Sequence, residues 1–386
     1  MSMTGKYKNW PQLIRAYGIR ESVRVRLNRV VSWDPLTDAK PGCTAVIGMC
    51  HRLPDVLLGN VRCLVNAAWP ELSEIIIVVD GVRGCIDAEL ERSAIALGGR
   101  INVRVEYYTA AQNNLAEALK LPYVFAWLSW SIGFSQCLTR HALIHDYDAL
   151  VFGDALSRRY AEFASSQASI QGIRWYAGNG VEPEDKLATT FEAFVDVPWL
   201  RSHAPSTSFH KVRYRDGRSF DYDTLLDLQH NFTPVEQRTI MHMDEEEMVH
   251  PSQMIHQYTM FRRHPGKQLP CYSIPMIPFF EYFSGSREAI AQVLERVDKR
   301  QGAIVDFVGD GTQVHTGALL STQVDWALKQ MVRACQKSGI PPFADLYRYG
   351  ERLYGLTGAP ESKIWLGDFT QDQRAWIEQS RNQAAS

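Results

Sequence analysis

No run in this sequence reaches the roughly 20 consecutive apolar residues that a membrane-spanning helix needs, and its opening, MSMTGKYKNWPQL, is polar and charged where a secretory leader would be apolar. A soluble, cytoplasmic protein is expected. Charge of one sign is lacking too: the formal net charge is -2, so there is no general pull towards nucleic acid, and anion binding must come from a local site. The seven cysteines are scattered, with no C-x-x-C and no zinc spacing. Several lie in apolar runs and read as reduced, buried thiols rather than a disulfide framework. Neither G-x-G-x-x-G nor G-x-x-x-x-G-K-[ST] follows the first strands, which counts against a dinucleotide Rossmann site and a P-loop. No internal repeat or low-complexity tract is present.

What is present is ordinary globular composition, with 386 residues, 45% of them hydrophobic and 22% charged, enough for one large domain and a smaller one. From residue 44 the pattern alternates. TAVIGMC (44–50) has strand length, LLGNVRCLVNAAW (57–69) has helical periodicity, and EIIIVVDG (74–81) is an unbroken β-branched run. Such a run implies burial on both faces, as in parallel strands. A helical CIDAELERSAIALGG, a strand VRVEYY (103–108), a helix-rich stretch to Leu138 and the strand HALIH (141–145) follow. Four β-α units in a row predict an α/β fold with a mostly parallel sheet and helices on both faces.

The segment TRHALIHDYDALVFG (139–153) ends its strand in Asp146 and Asp148. On extended backbone, residues i and i+2 point the same way, so both carboxylates can close on one cation. Mg²⁺ or Mn²⁺ carrying a nucleoside diphosphate takes such hard oxygen ligands. A second D-x-D, Asp221 and Asp223, shows how readily the pattern arises in solvated turns. Two more loops leave strand C-termini towards the same crevice: Cys50-His51-Arg52-Leu53-Pro54 and Asp80-Gly81. The first offers backbone donors to a nucleotide. Asp80 suits a ribose hydroxyl or a base N–H, or serves as a helix cap or turn residue.

In combination, TAVIGMCHR, EIIIVVDG and LIHDYDAL resemble the nucleotide-sugar-binding half of a GT-A glycosyltransferase. TTFEAFVDVPWLRSH (189–203) resembles that family's strand and short helix beneath the acceptor, and SFDYDTLLDLQ (219–229) its acidic helix start beside the sugar. TIMHM (239–243) followed by MVHPSQ resembles the late strand and downstream histidine of the metal site, so the resemblance spans residues 43–260. It implies a D-x-D motif holding Mn²⁺ or Mg²⁺ and the diphosphate of a UDP- or GDP-sugar, with a small molecule or glycan as acceptor. No Q-x-x-R-W follows the acidic segment, which argues against a processive polysaccharide synthase.

Glycosyl transfer places negative charge on the departing diphosphate, and a divalent cation stabilises it. Asp146 and Asp148 with a histidine supply such a site. His250 is preferred to His242, His256 and His264, because it lies in a loop between the acidic run Asp244–Glu247 and Pro251. Asp223 is the first choice for a general base, with Asp221 beside it; plain helix capping is the competing reading. Trp175 and Tyr176 precede a Gly178-Asn179-Gly180 turn that presents aromatics, and the EPEDK that follows reads as a solvated or mobile loop. Residues 12–31 form a basic helix that either packs on the domain or lies on an anionic membrane.

CYSIPMIPFFEYF reads as extended wrapping, SREAIAQVLERVDKR as a helix with a Ser N-cap, and two further helices end at Gly339 and near Gly355. This C-terminal helical region could mediate homo-oligomerisation. The expected divisions are 1–40, a glycosyltransferase domain at 41–280, and 281–386. A nucleotidyltransferase and a non-catalytic nucleotide-sugar-binding or scaffold protein are the alternatives.

Overall fold

The computed structural model describes residues 3–360, 365 and 367–386. The chain forms two compact units: Met1–Arg52, Ala68–Tyr147 and Asp154–Met243 make the first, and Leu53–Ala67, Asp148–Gly153 and Asp244–Ser386 the second.

The first unit is built on a seven-stranded mixed sheet. Its strands are β1 (Lys40–Met49), β2 (Leu72–Val79), β3 (Asn102–Tyr107), β4 (Thr139–His145), β5 (Ile170–Gly172), β6 (Ala193–Asp196) and β7 (Arg238–Ile240). The order across the sheet is β7-β5-β6-β4-β1-β2-β3. β4, β1, β2 and β3 are mutually parallel, β6 runs antiparallel to β4 and β5, and β7 is parallel to β5. The alternating sequence pattern thus produces the α/β sheet it predicts. Val46, Ile76 and Ile144 stand in register on one face, which the Pro122–Gln136 helix covers through Trp127, Leu128 and Phe134. Leu143 and Phe194 mark the other face, where Trp69, Tyr160 and Phe163 pack around Phe194.

Pro41 and Gly42 fall inside β1; the register with β4 shifts between Lys40 and Cys43, and this irregularity accommodates a residue with no N–H to donate. The EPEDK segment is largely exposed, as a solvated loop should be, and has local structure. Pro183–Asp185 forms a 3-10 turn, and Arg218 pairs with both Glu182 and Asp185.

The second unit is mainly helical. CYSIPMIPFFEYF is not extended: after a 3-10 turn it forms the Ile277–Ser284 helix, with proline in its first turn, where the missing N–H has no intrahelical partner to lose. The next helix is Ala289–Asp298, and no side chain caps it. Ser286 instead donates its N–H to the Glu281 carbonyl and accepts from the Ala289 N–H in a preceding turn. Ser321–Lys337 and Ala344–Thr357 follow as expected, although Gly355 lies within its helix and Gly358, at φ +66°, ends it. Gln371–Ala385 is a further helix, opened by a Thr370 capping box. No helix among the described residues is long and apolar enough to cross a membrane.

Candidate functional site

Because β1, β2 and β4 are parallel neighbours, their C-terminal ends share one edge of the sheet. The chain runs from β1 to β2 on one side and returns to β4 on the other, so the topology switches between β1 and β4. Open α/β sheets bind ligands at such a switch point. The residues leaving these three strands are Cys50 and His51, Asp80, and Asp146.

Asp80 closes onto the β1 loop. Its Oδ1 accepts the His51 backbone N–H at 2.7 Å and lies 2.6 Å from His51 Nδ1. Asp80 is therefore not a helix cap. The same contact engages the His51 N–H, one of the backbone donors expected to serve a nucleotide. Gly81 lets the chain pass close beside this pair, since a Cβ there would fall 2.6 Å from Cys85 Sγ and 3.4 Å from His51 Nδ1, and the Cys85 side chain would have to move. Cys50 is buried, and Arg52 pairs with Glu117 at 2.8 Å.

β4 delivers its last residue, His145, into full burial against an equally buried Glu192, with Nδ1 to carboxylate distances of 2.9 and 3.0 Å. The Asp146 backbone N–H donates to Glu192 Oε1 at 3.1 Å. Glu192 holds φ at +48°, a left-handed conformation that costs a residue with a Cβ on the order of 1 kcal/mol or more and persists only where its surroundings enforce it. One buried carboxylate thus fixes both the side chain that ends β4 and the peptide that starts the D-Y-D segment. No motif marks Glu192 in the sequence; its one signal is an acidic residue within the apolar run TTFEAFV.

The two carboxylates meet in a turn rather than on extended backbone, because β4 stops at His145 and residues 147–148 bend. Tyr147 is buried at the centre of the turn, and Asp148 is largely buried too. Immediately after it, Leu150–Val151 pairs antiparallel with Met248–Val249. Val249 stands opposite Leu150, so one further step brings His250 opposite Ala149 and beside Asp148, with Nε2 3.5 Å from Asp148 Oδ1. Two contacts hold this arrangement. Asn60 donates to the Ala149 carbonyl at 2.9 Å, and the buried Arg333 reaches the Glu245 carbonyl and the Glu246 carboxylate.

Asp146, two peptide bonds from Asp148, completes the group, and its ligand atom with those of Asp148 and His250 all lie within 4.8 Å of one another. Ligands on opposite sides of a small divalent ion stand about 4.2 Å apart, so this spacing fits one ion after a small adjustment. Two carboxylates and an imidazole suit Mn²⁺ or Mg²⁺ and leave coordination positions for phosphate oxygens.

The second D-x-D does not converge. Asp221, in the Arg218–Tyr222 strand, accepts from Arg20 Nε at 3.2 Å, Arg20 Nη2 at 3.1 Å and Tyr7 Oη at 2.9 Å, which ties the N-terminal helix to this strand. Asp223, past the strand end, accepts the Thr224 N–H at 2.7 Å and lies 2.7 Å from His210 Nε2. Burial works to raise the Asp223 carboxyl, but His210, the Thr224 N–H and Arg20 outweigh it and hold it below the ordinary carboxylate range. Its side chain keeps 44% of its surface exposed, so it combines a charge-stabilising pocket with access to solvent. No Asp223 side-chain cap forms on the Leu226–Phe232 helix, whose N-cap is Leu225.

No protein-family model and no curated protein matches the sequence. Among solved structures, the chain is similar to S. aureus TarS, residues 1–349, at 11% identity over 89% of this chain and 90% of that one, with a TM-score of 0.37. TarS has also been solved with UDP and with UDP-GlcNAc. A mannosyltransferase, PcManGT from Pyrobaculum calidifontis, in complex with GDP-Man and Mn²⁺, is similar at 13% identity over 97% of both chains, with a TM-score of 0.36. The galactosyltransferase LgtC, in complex with donor and acceptor sugar analogues, is similar at 11% identity over 53% of this chain and 74% of that one, with a TM-score of 0.35. The chemistry of this chain rests on its own residues.

Proposed function

We propose that this chain is a cytoplasmic, metal-dependent glycosyltransferase that moves a sugar from a UDP- or GDP-sugar to a small-molecule or glycan acceptor. The observation that carries the proposal is the convergence of Asp146, Asp148 and His250 at the C-terminal end of a central parallel strand. These three would hold Mn²⁺ or Mg²⁺, and the ion supplies Lewis-acid stabilisation of the departing diphosphate. Asp80, steadied by His51, presents its carboxylate at the neighbouring strand end, where it can accept from a ribose hydroxyl or a base N–H.

In the transfer itself the bond from the anomeric carbon to the diphosphate oxygen breaks, and a bond to the acceptor oxygen forms. If configuration inverts, the acceptor hydroxyl proton passes to Asp223, which its partners keep ionised and His210 orients. If configuration is retained, the same carboxylate stabilises positive charge on the sugar. Asp221 then holds the strand that carries Asp223 through its bonds to Arg20 and Tyr7. Glu192 positions the Asp146 peptide and takes no part in bond making.

The test is thermal melting with UDP and GDP, each with Mn²⁺ or with EDTA, followed by turnover of the corresponding sugars. A ligand at 100 times its dissociation constant stabilises the folded state by about 2.7 kcal/mol, a shift of several degrees. The shift should require the metal, and Asp148→Ala should abolish the metal-dependent part while leaving the unliganded melt in place. Equal shifts in EDTA would refute the metal assignment, and binding without turnover of any nucleotide sugar would favour a binding protein.

A further inference from the structure

We propose that the outward face of the Trp10–Leu27 helix is a docking surface for an anionic lipid bilayer. This inference does not rest on the transfer reaction. At 100° per residue the helix divides into three sectors. Leu13, Val23 and Leu27 are buried against the body of the unit. Trp10, Ile14, Tyr17 and Val25 lie in a second sector, with the ion-paired Glu21 among them, and are 53%, 64%, 49% and 49% exposed, respectively, Trp10 resting one side against Tyr214. Arg15 and Arg26 lie in a third sector, both exposed, with exposed Lys8 just before the helix and exposed Arg29 in the turn just after it.

The cations divide by role. Arg20 pairs with Asp221 and Arg24 with Glu21, so these two hold the helix in place. Lys8, Arg15, Arg26 and Arg29 form no ion pair among the described residues, and Glu21, the helix's acidic residue, is already shared by Arg24 and Lys211. The chain's net charge is -2, so this cationic strip is a local feature and not a sign of general basicity.

The apolar stripe decides which occupant fits. Ile14 and Val25 offer nothing to a base edge or a phosphate, whereas an acyl-chain boundary accepts them, and anionic headgroups meet cations at any spacing. An 18-residue helix is about 27 Å long, and its exposed aromatic and aliphatic side chains beside arginines suit the boundary between headgroups and acyl chains.

The experiment is co-sedimentation of the full chain with vesicles of phosphatidylcholine alone and of phosphatidylcholine mixed with phosphatidylglycerol. Binding to the mixed vesicles should exceed binding to the neutral ones and fall with added salt. Replacing Arg15, Arg26 and Arg29 with glutamine should weaken it by on the order of a hundredfold, since each cation near an anionic surface contributes about fivefold. Trp10→Ser with Ile14→Ser should weaken it by roughly tenfold or more. Melting curves check that the variants fold, and Ile14→Ser alone replaces the double variant if that one does not. Absence of binding to the mixed vesicles, or equal binding to neutral ones, overturns the proposal. So does loss in the arginine variant with none in the apolar variant, because that pattern belongs to a simple polyanion site.

Discussion

Two aspartates two residues apart, Asp221 and Asp223, have opposite surroundings, and the difference bears directly on the chemistry. Asp221 is saturated by Arg20 and Tyr7, while Asp223 keeps an exposed edge and one partner, His210, that can share a proton. Held below the ordinary carboxylate range, Asp223 is ionised at neutral pH and ready to accept a proton. Asn at this position still accepts the Thr224 N–H but loses the charge interactions with His210 and Arg20, so Asp223→Asn should lower melting modestly while leaving metal-dependent donor binding nearly unchanged. Positioned acid–base groups contribute roughly 10²- to 10⁴-fold in rate, so turnover should fall by at least about a hundredfold. Steady-state kinetics with a fixed donor measure this, and intact turnover would place the base elsewhere. The pairing of Asp221 with Arg20 spans 201 positions of sequence, so no local pattern could separate the two aspartates. The juxtaposition of Asp146 and Asp148 was easier to read, because an apolar strand ending in two carboxylates is a local feature. Glu192 was not, since its role depends on a left-handed backbone that no neighbouring glycine or turn signal announces.

At the scale of elements, β-branched runs and helical periodicity were enough to place β1 to β4 and the helices between them. What misled was proline. CYSIPMIPFFEYF carries two prolines, each of which suits either extended chain or the first turn of a helix, and buried Phe279, Phe280 and Phe283 settle the matter through packing rather than local preference. The helix covering β1 depends on a small residue at its point of closest approach. A Cβ on Gly133 would stand 2.2 Å from Val46 Cγ1 and 3.3 Å from Val46 Cβ. Val46 is a stiff β-branched residue in a central strand and cannot swing away. Gly133→Ala should therefore destabilise the chain by about 1–3 kcal/mol through overpacking. Gly18, inside the N-terminal helix, has nothing within 4 Å of its would-be Cβ, so Gly18→Ala should stabilise by roughly 0.5–1 kcal/mol. Chemical denaturation of the two variants tests both signs, and a neutral Gly133→Ala would mean that the helix and β1 separate at little cost.

The whole molecule's stability carries a pH dependence set by where its histidines lie. Burial lowers the affinity of His141, His203 and His230 for a proton, Asp196 opposing this at His141 and Asp185 at His230. In the unfolded chain each titrates near about 6.5. Between that value and the lower folded one, the unfolded state binds more protons, so stability rises with pH and is lost as pH falls through the unfolded value. Asp55 and Glu281 act in the opposite sense, because burial raises both carboxyls. They favour folding at low pH, and their contribution is lost as pH rises through their folded values. The wild-type curve sums both, so a difference between variants isolates one group. His141 is the choice: it is 9% exposed, its Nδ1 lies 3.1 Å from Tyr160 Oη, and Phe163 packs against its ring. A single buried histidine contributes a slope of at most about 1.4 kcal/mol per pH unit. His141→Phe keeps an aromatic ring there and removes the titration, so between pH 7 and about 5 its stability should fall less steeply than the wild type's. Urea denaturation at several pH values measures both slopes. Parallel slopes would show that His141 takes up its proton as readily in the folded chain as in the unfolded one.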